Sequence, residues 1–224
     1  MSVTAISATM REYLGEIYRL EHRGETATTS ALAERLEVSL PAITKMLTRL
    51  AKLGYVKRER YQGVRLTPSG EREALRSIRR HRLLEVFLVK VMGFGWEETH
   101  DHSHALEGAL NDALEDRMDD LCHHPTRCPH GDPIPTKDGV MPVINDRPLT
   151  DCPPQSIGTL SRVKTHDPDK LRYLADLKLT PGVPVKLVAR APFNGPVRVQ
   201  SGSAEHVLGT ELAGALYIEL EGAL

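Results

Sequence analysis

Cysteine is scarce. Three residues, an odd number, exclude a disulfide-stapled scaffold and fit a compartment in which thiols stay reduced. Long apolar runs are absent: none approaches the roughly 18 residues that a membrane-spanning helix requires. The start, Met1-Ser2-Val3-Thr4, lacks a basic segment followed by an apolar one, so no signal peptide is expected. Net charge is nearly absent too. A formal charge of −1 with 40% apolar residues excludes a chain disordered throughout. HExxH, the usual zinc-hydrolase signature, does not occur. What remains is a cytoplasmic globular protein of 224 residues, long enough for one large domain or two to three small ones.

The near-zero total hides a segregated charge. Residues 1–82 carry a net charge of +7, residues 83–150 carry −8, and residues 151–224 are balanced. Seven of the ten histidines (His81, His100, His102, His104, His123, His124 and His130) fall in or beside the acidic stretch. Acids and imidazoles together are the donors of a metal centre; a solvated acidic face with incidental histidines is the alternative.

The basic head has the punctuation of a winged helix-turn-helix. Ile6, Met10, Leu14, Ile17 and Tyr18 recur at helical spacing. A short helix follows over about 29–37, with Thr28 or Thr29 as cap. After Val38, Ser39 is placed to cap a second helix with Pro41 in its first turn, Ile43, Leu47 and Leu50 inward, and Gly54 as stop. Two short helices joined by a tight turn form a helix-turn-helix. Tyr55–Arg60, a turn at 61–63, and Val64–Thr67 then read as a β-hairpin wing. Lys45, Arg49, Lys52, Lys57, Arg58, Arg60 and Arg65 lie on the second helix and the wing, where they would neutralise phosphates. Ser39, Pro41, Ala42, Thr44 and Lys45 would reach base edges in the major groove. The alternative is a winged helix used for protein contacts.

In the acidic middle, one helix is expected over about 69–91 and a second over about 96–121. His81 and Glu85 are four apart and share a face. His100, His104 and Glu107 form one stripe at about 100° per residue. Three imidazoles and two carboxylates suit a first-row divalent ion of intermediate hardness. The Pro-rich stretch with Cys122, His123, His124, Cys128 and His130 reads as an irregular connector, with a separate zinc site as a weaker alternative. Residues from about 156 alternate five short β-like runs with one helix near 168–178, the pattern of a small β-barrel.

Several segments together resemble the diphtheria-toxin-repressor family of metal-dependent transcriptional repressors, and are similar to the long members of its manganese-responsive branch. They are Tyr13-Leu14, Ile17-Tyr18, Val38-Ser39 with Pro41–Leu50, Leu66–Gly70, Arg80–Glu85, Thr99-His100-Asp101, Leu106-Glu107, Cys128–Pro135, Leu171–Ala175 and Pro181-Gly182. The resemblance implies an α+β multidomain protein: a winged helix-turn-helix domain (1–73), a helical metal-binding and dimerisation domain (74–142), a linker (143–155) and a C-terminal SH3-like small β-barrel (156–224). It implies a homodimer that binds a palindromic DNA operator when loaded with metal, with no membrane partner and no enzymatic activity.

Carried over by position, one metal set resembles His81, Glu85 and His100. A second, effector set resembles Glu12, His104 and Glu107. The family has a further histidine at the position occupied here by Gly108, and some manganese-branch members have a carboxylate where Gly15 stands. That departure leaves the effector set to be completed by His102 or water. The C-terminal domain of family members lends ligands to the first set; the aligned Arg162 and Thr165 are poor donors, and His166 and Asp167 beside them are better ones. With no thiolate or thioether in these positions, Mn(II) is favoured and Fe(II) is the alternative, while other divalent first-row metals would bind in vitro. The expected function is repression of metal-uptake genes. Its rivals are a winged-helix regulator whose DNA binding is not metal-gated, and a metal hydrolase with a nucleic-acid-binding head.

Overall fold

The computed structural model describes residues 6–59 and 63–221. The chain forms two compact units. One comprises residues 1–81, 104–116 and 134–142, and the other residues 82–103, 117–133 and 143–224.

The first unit opens with α1 (Ala8–Glu21), capped by Ser7 accepting from Met10 N. α2 (Thr29–Leu36) is capped by Thr28 and closes with Glu37 in the left-handed region. α3 (Leu40–Lys52) follows a turn; Ser39 is its N-cap by position, but its hydroxyl makes no cap bond. Pro41 supplies the pre-set φ of a first turn. Gly54, with φ of 78°, turns the chain into β1 (Val56–Glu59), which pairs antiparallel with β2 (Gly63–Leu66). Met10, Leu14, Ile17, Leu32, Ile43, Leu50, Val56 and Val64 meet in one aliphatic core. α4 (Pro68–Lys90) follows, and in this unit Arg79 and Arg80 both clasp the Glu115 carboxylate, at 3.0 and 2.8 Å.

The expected second helix of the middle is two helices, α5 (Thr99–Glu107) and α6 (Asp112–Leu121). Gly108 favours leaving the helix. Ala109 N then bonds to Leu106 O at 3.0 Å, and Asn111 restarts the helix by accepting from Leu114 N at 3.0 Å.

The second unit carries a six-stranded antiparallel sheet. Its strands are β3 (Arg147–Pro148), β4 (Ile157–Val163), β5 (Pro184–Arg190), β6 (Val197–Ser201), β7 (Ala204–Leu208) and β8 (Leu216–Leu220), in the order β3-β8-β4-β5-β6-β7. α7 (Pro168–Asp176) and α8 (Thr210–Ala215) accompany it. Leu160, Leu171, Leu174, Leu187, Val199 and Ile218 fill its core. The stretch 143–155, expected to be a linker, is partly structural. It forms β3 and a 3-10 turn, and buries Leu149 and Cys152 in that core. Two apolar side chains outweigh the composition around them.

The turn Cys128–Asp132 is fixed by backbone bonds from Gly131 N to Cys128 O and from Cys128 N to Asp132 O, both 2.9 Å. Gly131 has φ of 88°, and a Cβ there would lie 1.9 Å from Ser161 O. Both the conformation and the contact require glycine. Gly131→Ala is therefore expected to destabilise the protein by about 2–3 kcal/mol or more. Thermal unfolding should show it as a fall of roughly 4–8 °C or more; an unchanged midpoint would refute the packing argument.

Candidate metal centres and nucleic-acid face

In the first unit, His81, His104 and Glu107 bring ligand atoms within 4.8 Å of one another. α4 delivers His81, whose Nδ1 lies 2.8 Å from Glu107 Oε2. α5 delivers the other two at i,i+3 spacing, with His104 Nδ1 3.6 Å from Glu107 Oε1. The His81 and His104 rings meet edge to face at 4.9 Å. Glu12, from α1, shares a cavity of about 190 Å³ with His104, Glu107 and Gly108. Burial, with the nearby Glu107 and Glu16 charges, raises the Glu12 carboxyl above its ordinary pKa. A Cβ on Gly108 would make only an ordinary 3.5 Å contact with Ala8 Cβ, so the cavity tolerates a side chain that the chain does not supply.

In the second unit a denser cluster forms around Glu85. His100 Nδ1 is 3.3 Å from Glu85 Oε1, and His130 Nδ1 is 3.6 Å from Glu85 Oε2. His166 stacks on His100 at 3.8 Å and meets His130 edge to face at 5.4 Å. Glu85, His130 and His166 bring ligand atoms within 4.8 Å. The His130 Nε2 atom lies 2.9 Å from Trp96 O; a proton there would donate to that carbonyl and leave Nδ1 bare toward Glu85. Cys128 Sγ lies 4.0 Å from the same Nδ1. Burial, then the Glu85 and Asp132 charges, push the Cys128 thiol well above its ordinary pKa, so it is protonated at neutral pH.

His81 bonds Glu107, one helical turn before Glu85, which pairs with His100. His166 joins the Glu85 cluster, but Asp167 does not. Its Oδ1 caps α7, accepting from Asp169 N and Lys170 N, because Pro168 makes it the residue before a helix. His102 packs on Phe94 at 4.9 Å instead of completing the effector set. His130, read as part of a connector, enters the cluster. The signal for it was the Gly after it, which permits the turn that aims its ring inward. The alternative zinc grouping does not assemble among the described residues: His124 pairs with Asp119 at 3.2 Å, and the metal-capable clusters found there include neither Cys122 nor His123.

The outer face of α3 presents Leu40, Pro41, Thr44, Lys45, Thr48, Arg49 and Lys52 on one open surface. Ser39 and Ala42 are exposed beside it. Arg58 lies back on the helix, donating to Thr48 Oγ1 at 3.0 Å and Thr44 O at 3.3 Å, so it ties wing to helix. Arg65 pairs with Glu59 at 3.2 Å. Arg60 lies outside the described residues.

Known proteins resemble the chain over nearly its whole length. Residues 5–64 match the "Iron dependent repressor, N-terminal DNA binding domain", residues 67–136 its "metal binding and dimerisation domain", and residues 147–220 a "FeoA domain". The iron-dependent repressor IdeR of Mycobacterium tuberculosis is 31% identical over 223 residues, covering 94% of this chain and 96% of its own. The chain belongs to the diphtheria-toxin-repressor family. The diphtheria toxin repressor of Corynebacterium diphtheriae is 26% identical over 94% of this chain and 96% of its own. Among solved structures, a manganese-dependent transcriptional repressor in complex with manganese has a TM-score of 0.86 at 37% identity, covering 94% of this chain and 99% of that one. The manganese regulator SloR has a TM-score of 0.74 at 28% identity, covering 95% and 98%. The family is one of transcriptional repressors, not enzymes, and the fold class is the winged helix-turn-helix, helical and SH3-like arrangement that the sequence implied. No described helix is long and apolar enough to cross a membrane.

Glu12 yields a pH prediction. A raised carboxyl pKa means that the fold favours the neutral form, so this group's contribution falls as pH rises from about 4.5 through the raised value. Metal-free Glu12→Gln should therefore unfold at a higher temperature than wild type at pH 7, with the gap narrowing as pH falls to about 4.5. A gap independent of pH would contradict the assignment.

Proposed function

We propose that the chain is a manganese-responsive DNA-binding repressor, with Fe(II) as the alternative effector, acting in the cytoplasm as a homodimer on a palindromic operator of metal-uptake genes. The observation that carries this reading is a pair of carboxylate–imidazole clusters in a chain that also carries a winged helix whose outer face is basic. Glu12, His81, His104 and Glu107 would hold one ion, and Glu85, His100, His130 and His166 another. Both donor sets consist of oxygen and neutral imidazole, which suit Mn(II), whereas Co, Ni and Zn would bind more tightly in vitro by raw affinity. A divalent ion held there would add positive charge beside Glu12 and Glu107.

The chain's own residues explain the coupling. Glu12 stands on α1, in the same core as α3, and Glu107 stands on α5. Without a metal, burial first and the Glu107 charge second hold the Glu12 carboxyl above its ordinary pKa, so closing the cavity over an ionised Glu12 is opposed. Closing that cavity fixes α1, and so α3, against the helical domain, which would set the spacing of two recognition helices on two half-sites. Preferential binding of metal to the DNA-competent state requires DNA to tighten metal binding in return.

Metal-stripped protein offered a random duplex pool should enrich a palindrome with Mn(II) or anaerobic Fe(II), and none with chelator. Equal enrichment with chelator would instead establish a regulator that is not metal-gated. His81→Ala or Glu107→Ala should weaken metal-dependent DNA binding by about 5- to 150-fold while keeping the fold; retention of the full metal response would sink the assignment. In the second unit, the single tryptophan, Trp96, stacks on His130 at 5.7 Å and reports on that cluster. Mn(II) should quench its emission in wild type, and Glu85→Gln should shift that titration to at least about tenfold higher Mn(II); identical titrations would remove Glu85 from the site.

A further inference from the structure

The outer face of α3 is chemically graded. Its first turn presents three adjacent apolar residues, Leu40, Pro41 and Ala42, all exposed, with Leu40 51% exposed. Its last turn carries Arg49 and Lys52. Lys45 is the single cationic residue in the first half of the helix, and none of the 13 residues is acidic. The core is served by Ile43, Leu47 and Leu50 on the opposite side. Leu40 is therefore not a core residue displaced outward. It is an apolar group at the leading end of a helix that otherwise meets a polyanion.

The major groove offers one apolar feature, the C5-methyl of thymine, and one base edge with two adjacent acceptors, O6 and N7 of guanine. Residues at the start of a recognition helix reach base edges, and cations further along and on the wing meet phosphates. Arg58 donates to Thr44 O and Thr48 Oγ1 and so holds the wing to the helix, while Lys45 stands exposed on the outer face of α3. Leu40 and Lys45 are five residues apart, about 7.5 Å along the axis at ~1.5 Å per residue. That is roughly two base-pair steps of ~3.4 Å.

We propose that Leu40 and Lys45 set the operator sequence, Leu40 by packing on a thymine methyl and Lys45 by donating to guanine O6 and N7 about two steps away. The inference rests on the reading that α3 enters the major groove.

The test uses the full Mn(II)-loaded protein and its selected operator, with one atom of the DNA changed at a time. Deoxyuridine in place of thymidine removes only the methyl, and 7-deazaguanine removes only N7. In wild type, one thymine per half-site should lose about fourfold in affinity on demethylation. A guanine two steps away should lose about 5- to 100-fold on N7 removal. Leu40→Ala should abolish the first sensitivity and Lys45→Met the second. Because the base analogues are read on the wild-type protein, the test does not depend on either variant folding. Variants with the wild-type sensitivity at every position would overturn the proposal. So would a Lys45→Met variant that lowers the salt slope by about one phosphate contact and leaves guanine selectivity intact, although α3 would then still lie in the groove. Unchanged affinity, salt slope and selectivity in both variants would overturn the groove reading together with the proposal.

Discussion

The Glu85 carboxylate is 1% exposed, and a carboxylate withdrawn from water must be matched by hydrogen bonds or positive charge. Much of the second unit is arranged to supply that match. His100 and His130 approach different oxygens of the same carboxylate. His130 is held in turn by the Trp96 carbonyl, by its own carbonyl accepting from Val163 N at 2.8 Å, and by a turn that only Gly131 permits. His166 arrives on the segment leading into α7 and stacks on His100. An imidazole nitrogen that ligates a metal does so through a lone pair. A buried acid among lone pairs is the environment in which a divalent cation lowers the electrostatic cost most.

The first unit meets the same problem with fewer donors. Glu107 is approached by His81 and His104, and Glu12 is left facing its negative charge. Gly108 serves two ends here. It adds no side chain to the cavity, and it lets α5 stop so that Asn111 can start α6. The Arg79–Glu115–Arg80 clasp ties α6 to α4, and Arg80 also lines the cavity. In the proposed function, loss of a ligand changes the strength of the switch while its scaffold stays intact.

The winged helix was legible because its determinants are local: Thr28 as a cap, Pro41 in a first turn, Gly54 at a helix end, and aliphatic residues at helical spacing. The five longer strands of the sheet were legible for the same reason. The 96–121 region misled because its apolar and acidic spacing continues across Gly108–Asn111, where one glycine and one cap end a helix that periodicity would extend. The linker misled because composition does not show that Leu149 and Cys152 find a core. At the clusters, His81 with Glu85 and His104 with Glu107 were visible as one-turn spacings, whereas His130 and His166 lie on turns that have no period to read.

By itself the sequence determined the helices and wing of the head, α4, α7 and the five longer strands, the basic character of the head, and the oxygen-and-nitrogen chemistry of the candidate ligands. These follow from short-range propensity, capping and charge, each settled within a few residues. Tertiary structure alone decided that His81 bonds Glu107 while His100 bonds Glu85, that His130 is a site residue, and that Asp167 caps a helix. Those outcomes depend on which side chains meet across distant parts of the chain, and burial of a carboxylate, not spacing along the sequence, selects them.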